Sequence, residues 1–79
     1  MSKVDKPRHY IGDTGIEVNE VLKDFLPRYR DAFVAAKVAD AIEYLLRAPF
    51  KNGTEDIAKA QKCLEVANDY IEDMRLESV

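Results

Sequence analysis

Phe33-Val34-Ala35-Ala36-Lys37-Val38-Ala39-Asp40-Ala41-Ile42-Glu43-Tyr44-Leu45-Leu46-Arg47-Ala48 contains neither glycine nor proline. Its apolar residues fall in adjacent pairs, Val34 with Ala35, Val38 with Ala39, Ala41 with Ile42 and Leu45 with Leu46. That spacing fills one wide face at a period of about 3.6 and leaves Lys37, Asp40, Glu43, Tyr44 and Arg47 on the other. A face this wide needs cover from more than one side. The stretch therefore predicts the central helix of an all-α fold, running from about Arg28, after Pro27, to Ala48, before Pro49.

On the C-terminal side, Phe50-Lys51-Asn52-Gly53 reads as a turn. Thr54 reads as the N-cap of a further helix over 54–76, with Glu55 and Asp56 in the first turn, where the macrodipole favours acids. That helix carries a heptad-like stripe, Ile57, Ala60, Leu64, Ala67, Ile71 and Met74, flanked by Cys63 and Tyr70. A link this short predicts that the two long helices pack as an antiparallel hairpin. The residues from about Leu76 onward are expected to fray.

On the N-terminal side, Thr14-Gly15-Ile16-Glu17 has the form of a capping box opening a short helix over 14–26, with Val18, Val21, Leu22, Phe25 and Leu26 on one face. Residues 1–13 read as an extended arm, since Pro7 biases Lys6 away from helix and Gly12-Asp13 marks a turn. Arg8, His9 and Tyr10 group a cation, an imidazole and a phenol. Such a group suits a phosphate or a stacked base, and equally an arm pinned on the helices.

The 79 residues leave room for one domain, 1–79, with one modest core. Cys63 is the single cysteine, so neither an internal disulfide nor a cysteine-based zinc site can form. A core this small without such a staple points to a homo-oligomer. No apolar run approaches the roughly 20 residues of a membrane span, and Met1-Ser2-Lys3-Val4-Asp5-Lys6 lacks a secretory pattern, so no membrane partner and a cytoplasmic location are expected. A net charge of −3 argues against a general nucleic-acid binder. Charge is also unevenly placed, with Lys3, Lys6 and Arg8 near one end and seven acids within 55–79.

Three acid pairs at i, i+3 spacing offer the main enzymatic alternative: Glu17 with Glu20, Asp40 with Glu43, and Asp69 with Glu72. All-helical nucleoside triphosphate pyrophosphatases hold Mg²⁺ between such pairs on facing helices, and Glu17, Glu20, Asp40 and Glu43 are the residues that would do so here. With 15 acids in the chain, composition alone gives about three such pairs. The glycines, Gly12, Gly15 and Gly53, make no phosphate loop. Neither a catalytic constellation nor a cofactor site is read from the residues.

Four segments, in order, resemble a family of small tailed-phage and prophage proteins sometimes called SaV-like. Lys6-Pro7-Arg8-His9-Tyr10 matches its opening Lys-Pro-x-His-Tyr, and Gly15-Ile16-Glu17-Val18 the step that follows. Ala39-Asp40-Ala41-Ile42-Glu43-Tyr44-Leu45-Leu46-Arg47-Ala48 matches its central helix, and Glu55-Asp56-Ile57-Ala58-Lys59-Ala60 its closing motif. The same domain is similar to part of a phage deoxynucleoside monophosphate kinase that lacks a standard phosphate-binding loop, which implies a link to nucleotides. Asp40 and Glu43 stand where the family has an asparagine and a lysine, and carboxylates there would repel phosphate.

Taken together, these readings lead to an expected function: a phage-type accessory protein in the cytoplasm of an infected bacterial cell, binding a host or phage protein. Its expected surface is Lys37, Asp40, Glu43, Tyr44 and Arg47, closed by Arg8, His9 and Tyr10. The alternative is a nucleotide-binding or nucleotide-processing module.

Overall fold

A computed structural model describes residues 11–79. Those residues are all-helical, with α1 over Val18–Phe25, α2 over Ala32–Arg47 and α3 over Thr54–Met74. A 3₁₀ turn over Leu26–Arg28 joins α1 to the approach of α2.

Each boundary has a local cause, and several differ from the expectation. Thr14 does not cap α1. Gly15 adopts φ 88°, a conformation closed to the first helical residue that would follow a Thr14 cap. Residues 12–16 instead form a tight loop in which the Gly12 amide donates to the Ile16 carbonyl at 2.7 Å. The helix begins one turn later with Glu17 as N-cap, whose amide donates to Glu20 Oε1 at 3.4 Å.

α2 likewise starts after the expected point, because Tyr29 and Asp31 are extended. Asp31 is the cap, and its Oδ1 accepts from the Val34 amide at 3.0 Å. At the other end, the Gly53 amide donates to the Ala48 carbonyl at 2.9 Å. Gly53, with φ 52°, rather than Thr54, is the N-cap residue of α3.

α2 and α3 form the main packed unit. Val34, Ala41 and Ala48 recur every seven residues along α2 and are buried, facing a seam with buried Ala60, Ala67 and Asp56 on α3. Small side chains let the two backbones approach closely. Ala60 and Ala67 of the expected stripe lie in this seam, whereas Ile57, Leu64 and Met74 are exposed. α3 is thus rotated from the expected orientation, and its two anchored polar residues, Asp56 and Tyr70, account for the rotation. α1 contributes buried Val18, with Val21 and Leu22 half-buried.

The C-terminal residues do not fray as expected. Arg75 takes the left-handed conformation (φ 53°, ψ 45°) that closes α3, and the Leu76 amide donates back to the Ile71 carbonyl at 3.0 Å. The Val79 carbonyl then accepts from the Arg30 and Asp31 amides at 2.6 and 3.1 Å. Among the described residues, no helix is long and apolar enough to cross a membrane.

Candidate binding face

α2 places Lys37, Asp40, Tyr44 and Arg47 along one side, as its period dictates. The structure adds α3 to that side. The Arg47 guanidinium lies 4.9 Å from the centroid of the Tyr44 ring, and Lys59 Nζ approaches the same ring at 5.7 Å. Cations over an aromatic face are attracted by its quadrupole. Toward the start of α2, Phe33 packs on Tyr70 with centroids 4.6 Å apart, and Lys37 Nζ lies 5.5 Å from the Phe33 ring. Aromatic rings and lysines therefore run along this side of the helix pair. Asp40, Glu43, Tyr44 and Arg47 line a shallow depression of about 130 Å³ within it.

Arg47 is positioned by a buried partner. Its Nε and Nη2 donate to Asp56 Oδ2 and Oδ1 at 3.2 and 3.0 Å, a bidentate geometry that fixes the plane of the guanidinium. The Asn52 amide and side chain also donate to Asp56, each at 3.4 Å. The Asp56 side chain is 0% exposed. Hydrogen bonds from Arg47, more than those from Asn52, hold its carboxyl below the ordinary range against the opposing effect of desolvation. The sequence reading gave Arg47 to a partner. In the structure its charge serves first to join the end of α2 to the start of α3.

A second anchor lies at the opposite end of the helix pair. Tyr70 Oη donates to Asp31 Oδ2 at 2.9 Å, so the α2 cap also ties down the end of α3. The Asp31 carboxyl is lowered chiefly by the Val34 amide and further by Tyr70, while the Tyr70 phenol is raised by facing that carboxylate. Lys37 and Asp40 approach to 4.0 Å, an exposed pairing of small worth.

Several expected site residues fall elsewhere. Arg8, His9 and Tyr10 lie outside the described residues. Glu17 and Glu20 serve the cap of α1 and are not gathered with Asp40 and Glu43. Among the described residues, no three of His, Cys, Asp and Glu form a group able to hold a metal ion. Lys59 and Asp56, which the sequence reading left out of the site, come from α3. Their link to Tyr44 and Arg47 crosses a turn, where helical periodicity carries no information.

This face lies almost wholly within one matched region. Residues 4–65 match a family described as "Protein of unknown function (DUF3310)". The chain belongs to this family. The DUF3310 region takes in α1, α2 and α3 as far as Glu65, and so includes Tyr44, Arg47, Asn52, Asp56 and Lys59. No curated protein and no solved structure matches the chain.

Proposed function

We propose that the chain is a small phage- or prophage-type accessory protein that acts by binding a host or phage protein, with inhibition of that partner as the activity to look for. The resemblance to SaV-like proteins supports the setting. In this reading the scaffold is an antiparallel helical hairpin that self-associates, and the binding face is the Tyr44 side of α2. The observation that carries the reading is the Tyr44 ring approached by both Arg47 and Lys59, on two helices joined by the ion pair of Arg47 with buried Asp56. Tyrosine and arginine on a rigid support are what interface hot spots favour.

The test is a pull-down from bacterial lysate followed by a binding assay of the captured partner. Tyr44→Ala and Lys59→Ala are expected to weaken binding, Tyr44→Ala by more than about 1 kcal/mol, with helix content unchanged. Glu65→Ala with Glu72→Ala, on exposed positions of α3, is the contrasting pair. Loss of binding in that pair alone would move the contact to the outer surface of α3.

A second reading, a nucleotide-binding module, draws on Lys37 and Lys59 near aromatic rings, which suit a stacked base and a phosphate. Asp40 and Glu43 in the same depression oppose an anion. A thermal-shift panel of nucleoside mono-, di- and triphosphates separates the two, since only the second reading expects a shift.

A further inference from the structure

The turn between α2 and α3 contains Asn52 followed by Gly53. Of the three asparagines in the chain, only Asn52 precedes a glycine, since Asn19 is followed by Glu20 and Asn68 by Asp69. Asparagine is a thermolabile residue, and its neighbour decides how labile. A glycine amide has no side chain to hinder its attack on the asparagine before it. Asn19 and Asn68 also lie within α1 and α3, where the backbone is held in regular helix.

The reaction is internal to the chain. The Gly53 nitrogen gives its proton to base and attacks Asn52 Cγ, forming a new C–N bond. The bond from Cγ to Nδ2 then breaks, and the side-chain nitrogen takes up a proton and leaves as ammonia. Water opens the imide ring that remains. Cleavage of the new bond yields aspartate, and cleavage of the original peptide bond yields isoaspartate, with the backbone rerouted through the side chain. Either product consumes one water and releases one ammonia, and no oxidant or reductant is needed.

In the folded turn both reacting groups are held elsewhere. The Gly53 amide donates to the Ala48 carbonyl at 2.9 Å. The Asn52 side-chain nitrogen donates to Asp56 Oδ1 at 3.4 Å, and the Asn52 backbone amide to Oδ2 at 3.4 Å. The Asn52 carbonyl accepts from the Glu55 amide at 3.0 Å. Asp56 is fully buried and gripped by Arg47, so the turn is anchored on a fixed carboxylate. Asn52 itself is exposed, and water reaches it once these bonds open.

Neither product can remake the clamp. Aspartate at 52 lacks the Nδ2 donor and sets a second carboxylate beside the buried one, where like charges disfavour each other. Isoaspartate adds a backbone carbon next to Gly53, the N-cap residue of α3, and spoils the reach of the Gly53 amide to Ala48. Asp56 also fixes the plane of the Arg47 guanidinium, so the loss is passed to the end of α2.

We propose that Asn52 is a deamidation site that the folded turn keeps closed through Asp56, and that its conversion permanently opens the clamp between α2 and α3.

The full chain is incubated at neutral pH in buffer and in guanidinium chloride, and peptide mass mapping reads the exchange of NH₂ for OH at each asparagine. Asn52 is expected to convert at least about tenfold more slowly in the folded chain than in the unfolded one, with Asn19 and Asn68 slower than Asn52 in denaturant. Asp56→Ala should move the folded rate toward the unfolded one, and Arg47→Lys serves as the milder opening where Asp56→Ala does not fold. Tyr70→Phe, at the far end of the helix pair, should leave the rate unchanged. Asn52→Asp should lower the melting temperature at neutral pH, whereas Asn19→Asp, in the first turn of α1, should not.

Equal rates in buffer and denaturant would overturn the closed site. A folded rate unmoved by the Asp56 and Arg47 variants, or raised as much by Tyr70→Phe, would overturn the role of the clamp. An unchanged melting temperature for Asn52→Asp would overturn the consequence of conversion.

Discussion

Asp56 gives up contact with water to hold Arg47 and Asn52, and its carboxyl is lowered by the hydrogen bonds from Arg47. Asp31 is lowered through the Val34 amide. A depressed folded value means that these two groups contribute stability that is fully present above the ordinary aspartate value of 3.8 and lost as pH falls through the depressed values. Tyr70 works in the opposite direction. Its phenol is raised above 10.0, so its contribution holds below that value and disappears as pH rises through the raised one. The melting temperature is therefore expected to be level through neutral pH and to fall at both extremes. Asp56→Asn should lower it at neutral pH and flatten the acid limb, and Tyr70→Phe should flatten the alkaline limb; both are read from melting curves across pH. Arg75 offers a gain instead, because a left-handed side-chain-bearing residue costs about 1 kcal/mol. Arg75→Gly should recover much of that, measured by urea unfolding. Arg47 and Asp56 were both visible in the sequence as motif residues, but nothing in a helical period pairs positions on either side of a turn. The clamp was therefore not legible while its components were.

The α2–α3 seam is built from Ala41, Ala48, Ala60 and Ala67 between Val34 and the two anchors. Close packing of this kind leaves no room for added methylenes. Ala60→Leu is expected to destabilise by about 1–3 kcal/mol through overpacking, a cost that chemical denaturation would register directly. The end of α2 near Pro49 and the start of α3 after Gly53 were readable, because proline and glycine punctuate the backbone by sterics alone. The starts of α1 and α2 were not. Thr14 and Glu17 have the spacing of a capping box, yet the Gly15 backbone at φ 88° moves the helix start to Glu17. Pro27 could begin a helix as readily as a 3₁₀ turn, and the Asp31 cap decides between them. The rotation of α3 was also hidden, since a heptad count treats Ile57 and Ala60 as one stripe. Burial separates them.

The whole molecule carries different chemistry on its two broad sides, rings and lysines on one and exposed apolar Ile57 and Leu64 on the other. Substitutions on one side should leave the other unaffected. Glu17 and Glu20 are engaged at the α1 cap, and among the described residues no group of acids, histidine or cysteine gathers to hold a metal ion. The melting temperature in millimolar Mg²⁺ is expected to equal that in NaCl of matched ionic strength, and a clear rise with Mg²⁺ alone would reopen the pyrophosphatase reading. Lys37, Asp40, Glu43 and Tyr44 were legible as one polar side from α2 alone, while Lys59 could join them only once α3 was packed.

The cross-helix contacts are nested around one turn, and that nesting has a kinetic consequence. Arg47 and Asp56 are 9 residues apart, whereas Asp31 and Tyr70 are 39 apart. Closing a short loop costs less chain entropy than closing a long one, so the turn-proximal clamp can form before the distal tether, and the helices can then zip outward from residues 48–53. Substitution at Asp56 should slow refolding, and substitution at Tyr70 should leave the refolding rate and accelerate unfolding. Stopped-flow traces of the two variants would show which end of the helix pair is made first.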